Sequence, residues 1–268
     1  MYNINKLKKK IVVVTDCIDV AANEIRATLV SELIKLGKEK KAEIEPIVEA
    51  KEFSVINGAF LVRSMAEAYP PKETIFLVIL NPLSTNREDR ARIIGETKNG
   101  FKFVGANTGT LSWLMKDFGI KEIYESNRKG LKGKKFISFG GKYVHAPIAA
   151  KVASGIKLIK LGKKFDKKRL AYLKLKRGTV VHIDNFGVIK IFGELNNLKE
   201  GDKVRIFIKN KFKRFAVFTR CMKNLPNNSL AIYSGSSLNN LPEIGKVRSS
   251  GTEKDLGIKI GDIVRWEL

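Results

Sequence analysis

The chain has 268 residues, 44% hydrophobic and 29% charged, which places it among ordinary globular proteins and excludes wholesale disorder. Lys and Arg number 51 against 27 Asp and Glu, a net charge of +24, yet no stretch approaches the ~18 apolar residues of a membrane span. The two cysteines, Cys17 and Cys221, have no metal-type spacing and point to a reduced, cytoplasmic setting.

The start, "MYNINKLKKKIVVVTD", is basic like a signal peptide, but its apolar run from Ile11 to Val14 is too short for one. "KKIVVVTD" reads instead as a buried, β-branched strand, with Cys17 a small buried residue at its end. Asp19 suits a helix N-cap, and Ile25, Leu29, Val30, Leu33 and Ile34 recur at helical spacing up to Gly37. A second helix opens at Ser54, lines one face with Val55, Ile56, Ala59, Phe60, Val62 and Ala66, and stops at Pro70-Pro71. "TIFLVIL" (74–80) is another buried strand, closed by Asn81-Pro82. "RARIIGETKNGFKFVGA" is a hairpin turning at Asn99-Gly100, "TGTLSWLMKDFG" a short helix and "KEIYES" a strand. An apolar run then ends in Phe139-Gly140-Gly141, and after a polar gap a small-residue helix opens at Ala146-Pro147.

Strands alternating with helices predict an α/β fold with a central, mostly parallel sheet over residues 1–160, whose ligands sit at the carboxyl ends of strands. Asp16, Asn81 and Asn107 fall at such ends. Beyond residue 160 the pattern alternates in short runs broken by Gly, Asn and Pro, as in "GTVVHIDNFGVIKIFGE" and "DKVRIFIKNKFKRFAVFTR". That predicts a smaller, all-β, barrel-like domain over 161–268, joined through the basic stretch 156–177. The densest basic runs, "KLGKKFDKKRLAYLKLKRG" (160–178) and "KNKFKRF" (209–215), contain no named nucleic-acid motif and read as solvated surface, with generic RNA binding as the alternative.

With these elements placed, the chain resembles the S-adenosyl-methionine hydroxide adenosyltransferase family, relatives of the fluorinase and chlorinase enzymes. The resemblance rests on the order of several motifs: Thr15-Asp16 at the first strand end, "EFSVINGAFLVRSMAEAYPPKETIFLVILNP", "GANTGTL", "FGGKYVHAPIAAKVASG", "HIDNFGVI", "LAIYSGSSLNNLPEI" and "LGIKIGDIV". It implies S-adenosyl-methionine as substrate, with no further cofactor and no metal. It also implies a homotrimer that binds its ligand between the N-domain of one subunit and the C-domain of the next. A nucleophile, water or halide, would attack the ribose C5′ and displace methionine.

Carried over by residue, the resemblance gives Asp16 the ribose diol, Asp184 the methionine amino group and Ser236 the methionine end, and places Asn107 and Phe186 among the substrate-binding residues. The hydrolase triad of Asp, Arg and His falls on Asn81, on Arg87 (or Arg90) and on Gly140, so two of the three are replaced. His145, five residues beyond Gly140, and His182 read as packed residues. Ile18 replaces a family glycine, and Val188 an Asn that meets the adenine. Halogenating members also have a small residue at the Gly140 position but Tyr where Asn81 stands. The reading is therefore a diverged member that binds S-adenosyl-methionine or adenosine with weakened or altered substitution at C5′. Its alternatives are a non-catalytic paralogue, a halogenating enzyme and a basic RNA-binding protein reusing the fold.

Overall fold

Strand β1 (Lys9–Thr15) is fully buried from Ile11 to Thr15, as expected of a central strand covered on both faces. The computed structural model describes residues 8–82, 90–126 and 138–268. The chain divides into two units, one ending at Leu173 and the other Lys174–Leu268.

In the first unit β1 pairs in parallel with β2 (Ala42–Ile44), β3 (Val48–Glu49) and β4 (Thr74–Ile79). The hairpin of β5 (Arg92–Thr97) and β6 (Lys102–Ala106) follows, with β6 parallel to β4. Strands β7 (Ile120–Ser126) and β8 (Gly162–Lys164) complete the order β2-β1-β4-β6-β5-β7-β8. One half of the sheet is parallel, as expected. The other half is antiparallel, because the turn at Asn99-Gly100, with Gly100 at φ 109°, reverses the chain directly.

Helix α1 (Asp19–Lys35) buries Ile25, Leu29 and Leu33 against Ile11 and Val13 of β1 and Ile75 and Leu77 of β4. Val12, Val14 and Phe76 alternate with these and face the other side, where α2 (Val55–Ala68) meets β1 and β4. Ser54 caps α2 as expected, accepting from the Asn57 amide at 3.2 Å. Asp19 does not cap α1: Ile18 holds the N-cap position, no side chain caps it, and Asp19 begins the helix at a left-handed φ of 53°. Helix α3 (Ser112–Phe118) forms within the stretch expected to be helical (108–119) but begins only at its fifth residue.

The expected loop before Ala146 is helical. Gly141–His145 form a π-turn running into α4 (Ala146–Ala153). The Ala146 amide reaches back five residues to the Gly141 carbonyl, and this wide turn accommodates Pro147, which has no amide to donate.

The second unit is a seven-stranded sheet of β9 (Val180–Ile183), β10 (Ile189–Ile191), β11 (Lys203–Ile208), β12 (Lys211–Phe218), β13 (Leu230–Ser234), β14 (Pro242–Lys246) and β15 (Val264–Glu267). Its order is β15-β11-β12-β13-β14-β10-β9. A bridge between Thr179 and Ile263 joins the two edges, so the sheet closes in barrel fashion around Val180, Ile189, Ile206, Ile232 and Ile244. Strand β14 and helix α5 (Thr252–Leu256) have no counterpart among the expected elements. Among the described residues no helix is long and apolar enough to cross a membrane.

Candidate functional site

The chain leaves β1 toward β2 on one side and returns as β4 on the other, which opens a crevice at the carboxyl ends of β1 and β4. Asp16 stands there. Its Oδ2 accepts from the backbone amides of Phe53 at 3.0 Å and Asn81 at 3.1 Å, and its own amide donates to the Ile79 carbonyl at 3.3 Å. One carboxylate oxygen thus ties three segments together, while among the described residues Oδ1 meets only the Cys17 thiol at 3.9 Å. Cys17 is half-buried, and burial raises its thiol pKa, so it is a poor nucleophile.

Asn81 lies beside Asp16 through its backbone, and its side chain is exposed. Arg90 donates to the Pro82 carbonyl at 2.9 Å and so anchors the end of this loop. Arg87 lies outside the described residues.

The paired glycines have different tasks. A Cβ on Gly141 would lie 2.8 Å from Cγ2 of Ile79, so its lack of a side chain lets the π-turn pack on the end of β4. Gly140 has an ordinary φ of −58°, and among the described residues the nearest neighbour to a Cβ is the Arg92 guanidinium at 3.9 Å. The backbone and the packing of the described residues both permit a side chain at 140. Lys142, which donates to Glu24 at 2.7 Å, pins the turn to α1.

His145 does not project into the crevice as a base. It is 7% exposed, and its Nδ1 has no hydrogen-bond partner among the described residues. Burial, aided by the nearby Arg92 charge, lowers its pKa to about 4 and keeps the ring neutral. Asn107 sits at the end of β6, but its side-chain amide is already engaged: Nδ2 donates to the Arg169 carbonyl at 2.9 Å and Oδ1 accepts from Ala171 at 2.9 Å.

In the second unit Asp184 and Phe186 share the turn between β9 and β10. Asp184 Oδ1 accepts from the amides of Phe186 and Val188, both at 2.9 Å, and Phe186 projects its ring, 62% exposed. His182, Lys190, Glu243 and Tyr233 lie in register across β9, β10, β14 and β13 and form one polar row over the sheet. Glu243, 5% exposed, pairs with Lys190 and accepts from the Tyr233 hydroxyl. Burial and then Glu243 raise the Tyr233 pKa; burial and then Lys190 lower that of His182, against Asp184.

The Glu243 carboxylate also underlies the loop that bears Ser236, because a Cβ on Gly235 would collide with it. Ser236 itself is exposed. Beyond it Leu238, Asn239 and Asn240 take left-handed φ values of 49°, 58° and 65°, strain of a kind that clusters at functional loops.

Sequence reasoning missed Phe53, Arg92 and the polar row. Phe53 is 45% exposed at a left-handed φ of 59° and has no motif to mark it. Lys190 and Glu243 are 53 residues apart and meet only through sheet register. Among the described residues no group of three or more His, Cys, Asp or Glu could hold a metal ion.

Residues 20–162 match the family model of the SAM hydroxide adenosyltransferase N-terminal domain. An (R)-S-adenosyl-L-methionine hydrolase of Methanocaldococcus jannaschii is 26% identical over 209 residues, 74% of each chain. An uncharacterized conserved protein from Thermotoga maritima has a similar fold, with a TM-score of 0.80 and 23% identity over 96% of this chain and 100% of that one. A conserved hypothetical protein from Thermus thermophilus does too, at 0.72 and 19% over 97% and 100%.

Proposed function

The chain belongs to the SAM hydroxide adenosyltransferase family, and from that premise we propose that it binds S-adenosyl-methionine or adenosine and supports slow or altered substitution at the ribose C5′. The M. jannaschii hydrolase lends its named activity to this reading. The observation that carries it is the contrast at one crevice between a kept carboxylate and an absent base. Asp16 retains Oδ1 for a ribose diol while Oδ2 holds its backbone partners. Gly140 has no side chain, Asn81 is uncharged and His145 is buried and neutral.

Sulfonium is a good leaving group, so the protein's task is to hold C5′ in line with a nucleophile and to exclude bulk water. In hydrolysis a water oxygen bonds to C5′, the C5′–S bond breaks toward methionine, and the water proton leaves to solvent. A positioned general base is worth roughly 10²–10⁴-fold in rate, so its absence slows the step without removing binding. Asp184, Phe186 and Ser236 are proposed for the methionine and adenosine ends. Asn107 is proposed with them, and its engaged amide assigns it to shaping the strand end.

The space at Gly140 beside the Arg92 guanidinium favours one second reading, halide as the nucleophile. Halide would bond to C5′ as the C5′–S bond breaks, with no proton to move. Calorimetry with S-adenosyl-methionine and with adenosine tests the binding, and product analysis with and without chloride tests the chemistry. Binding with slow adenosine release is the expected result. Halogenated nucleoside would establish the second reading, tight binding without turnover would mark a non-catalytic paralogue, and absence of binding to either ligand would overturn the proposal.

A further inference from the structure

The hairpin of β11 and β12 carries a feature that the crevice chemistry does not use. From Lys203 to Phe215 the sequence holds six Lys or Arg and no Asp or Glu. Val204, Ile206 and Ile208 point into the core, so Lys203, Arg205 and Phe207 point outward. Phe212 and Phe215 are three apart, a spacing that would place them on opposite faces of a regular strand. A register shift at Ile206/Phe207 changes this: Arg205 pairs with Phe215 and Phe207 with Phe212, so β12 has one extra residue and both rings share the outer face.

The three rings form a chain, with Phe207 and Phe212 centroids 5.9 Å apart and Phe212 and Phe215 5.2 Å apart. Phe212 is 49% exposed and Phe215 46%. Lys203 lies 4.4 Å from the Phe215 centroid, and Arg265 of β15 lies 4.9 Å from that of Phe207. The one carboxylate in the register of this face is Glu267, within ion-pair range of Arg205 and Arg265. Lys209 and Arg214 have Asp262 and Asp255 at 3.0 and 3.9 Å.

Cations alone would make a solvated surface. Phenyl rings left in water among them have no such explanation, since exposing them opposes the hydrophobic effect. A partner that suits both features needs flat apolar faces and a regular series of negative charges. Single-stranded nucleic acid provides bases to stack on the rings and phosphates to pair with the flanking Lys and Arg. A duplex buries its base faces in its own stack, and an acidic peptide leaves the rings without a counterpart.

We propose that the outer face of β15, β11 and β12, centred on Phe207, Phe212 and Phe215, binds single-stranded nucleic acid. The site is independent of the crevice reading and stands or falls separately from it.

The test is fluorescence anisotropy of the full chain with a labelled oligouridylate of about 12 nucleotides, a length on the scale of one site. Between about 50 and 200 mM salt, four to six phosphate contacts predict a log–log slope of about −3 to −4. Phe212→Ala with Phe215→Ala is expected to weaken binding roughly tenfold or more at an unchanged slope, whereas Tyr at both positions keeps it within about threefold. Lys203→Glu with Arg205→Glu, the two cations of β11 on this face, is expected to flatten the slope by about 1 for each phosphate that no longer meets a cation. Circular dichroism confirms that these surface variants fold. The proposal is overturned if the double Ala variant binds like the unmutated chain, or if a duplex of equal length binds more tightly. It is also overturned if anionic vesicles bind through the rings while the oligonucleotide does not, or if the double Ala variant loses a self-assembled state, which would make this face a contact between copies.

Discussion

Asp16 has a structural task in the fold and a binding task under the proposed function. Its Oδ2 holds the amides of Phe53 and Asn81, and the proposed function gives its Oδ1 to the ribose diol. Asp16→Ala should therefore weaken adenosine binding by about 1.5–3 kcal/mol and also lower stability by about 1 kcal/mol per backbone bond removed. Asp16→Asn keeps an oxygen for the two amides but loses the charge, so calorimetry on it should show the binding loss at near-unchanged urea midpoint. Equal affinity in all three proteins would remove Asp16 from the site. At Gly140 the backbone and the space among the described residues both admit a side chain, so Gly140→His with Asn81→Asp should fold. Catalytic partners act as a unit, so adenosine formation in single turnover should rise by more than the product of the single effects. The Arg92 guanidinium lowers and the carboxylate introduced at 81 raises the pKa of the new imidazole, so the rate should rise with pH through a limb near the ordinary ~6.5 that the unmutated chain lacks. His145 makes a separate prediction about stability. Its folded pKa of about 4 lies below the unfolded value of ~6.5, so the unfolded chain binds the extra proton between those limits. Its contribution is fully present above pH ~6.5 and is lost as pH falls toward 4. Urea midpoints from pH 4.5 to 8 should fall on the acid side, and His145→Leu should flatten that fall; an unchanged slope would contradict the buried neutral ring.

At the scale of elements, what the sequence made legible was local pattern. The β-branched run of β1, the Ser54 cap, the Asn99-Gly100 turn and the alternation of β11 each declare themselves within a few residues, and each stands in the structure where it was expected. What was not legible depends on residues far apart. The antiparallel half of the first sheet follows from where the hairpin docks, and the π-turn follows from packing Gly141 against Ile79, which no residue between 139 and 146 announces. The same holds for the polar row of the second sheet, where Lys190 and Glu243 meet only once β10 and β14 are in register. That pair carries its own prediction. Lys190→Met leaves the Glu243 carboxylate buried beside Tyr233 without its cation, a loss of about 3–5 kcal/mol by precedent for broken buried pairs. Lys190→Met with Glu243→Gln removes the stranded charge and should recover most of that stability. A double-mutant cycle from urea unfolding checks it: additive losses would show that the two groups do not act as a pair.

On the scale of the whole molecule, the candidate residues fall into two groups that the chain keeps in separate units, Asp16, Asn81 and Gly140 before Leu173 and Asp184, Phe186 and Ser236 after Lys174. Under the proposed function the first group takes the ribose diol and the second the methionine amino group, so a complete site needs both. The family resemblance implies that neighbouring subunits of a cyclic trimer complete each other's site, and light scattering at micromolar concentration should give three times the 30.0 kDa chain mass. Mass alone does not show that a site is shared. Chains carrying Asp16→Ala and chains carrying Asp184→Ala should each bind ligand poorly. Unfolded together and refolded in equal amounts, they form mixed trimers in which a shared site is intact only where an unmutated Asp16 faces an unmutated Asp184. For random assembly around a three-fold ring that is about one site in four. Calorimetry on the mixture should then recover about a quarter of the unmutated stoichiometry at the unmutated affinity. If each site were built within a single chain, mixing would recover none, because every chain carries one of the two lesions. A trimer that recovers nothing would keep the assembly and refute the shared site, and a monomer would refute both.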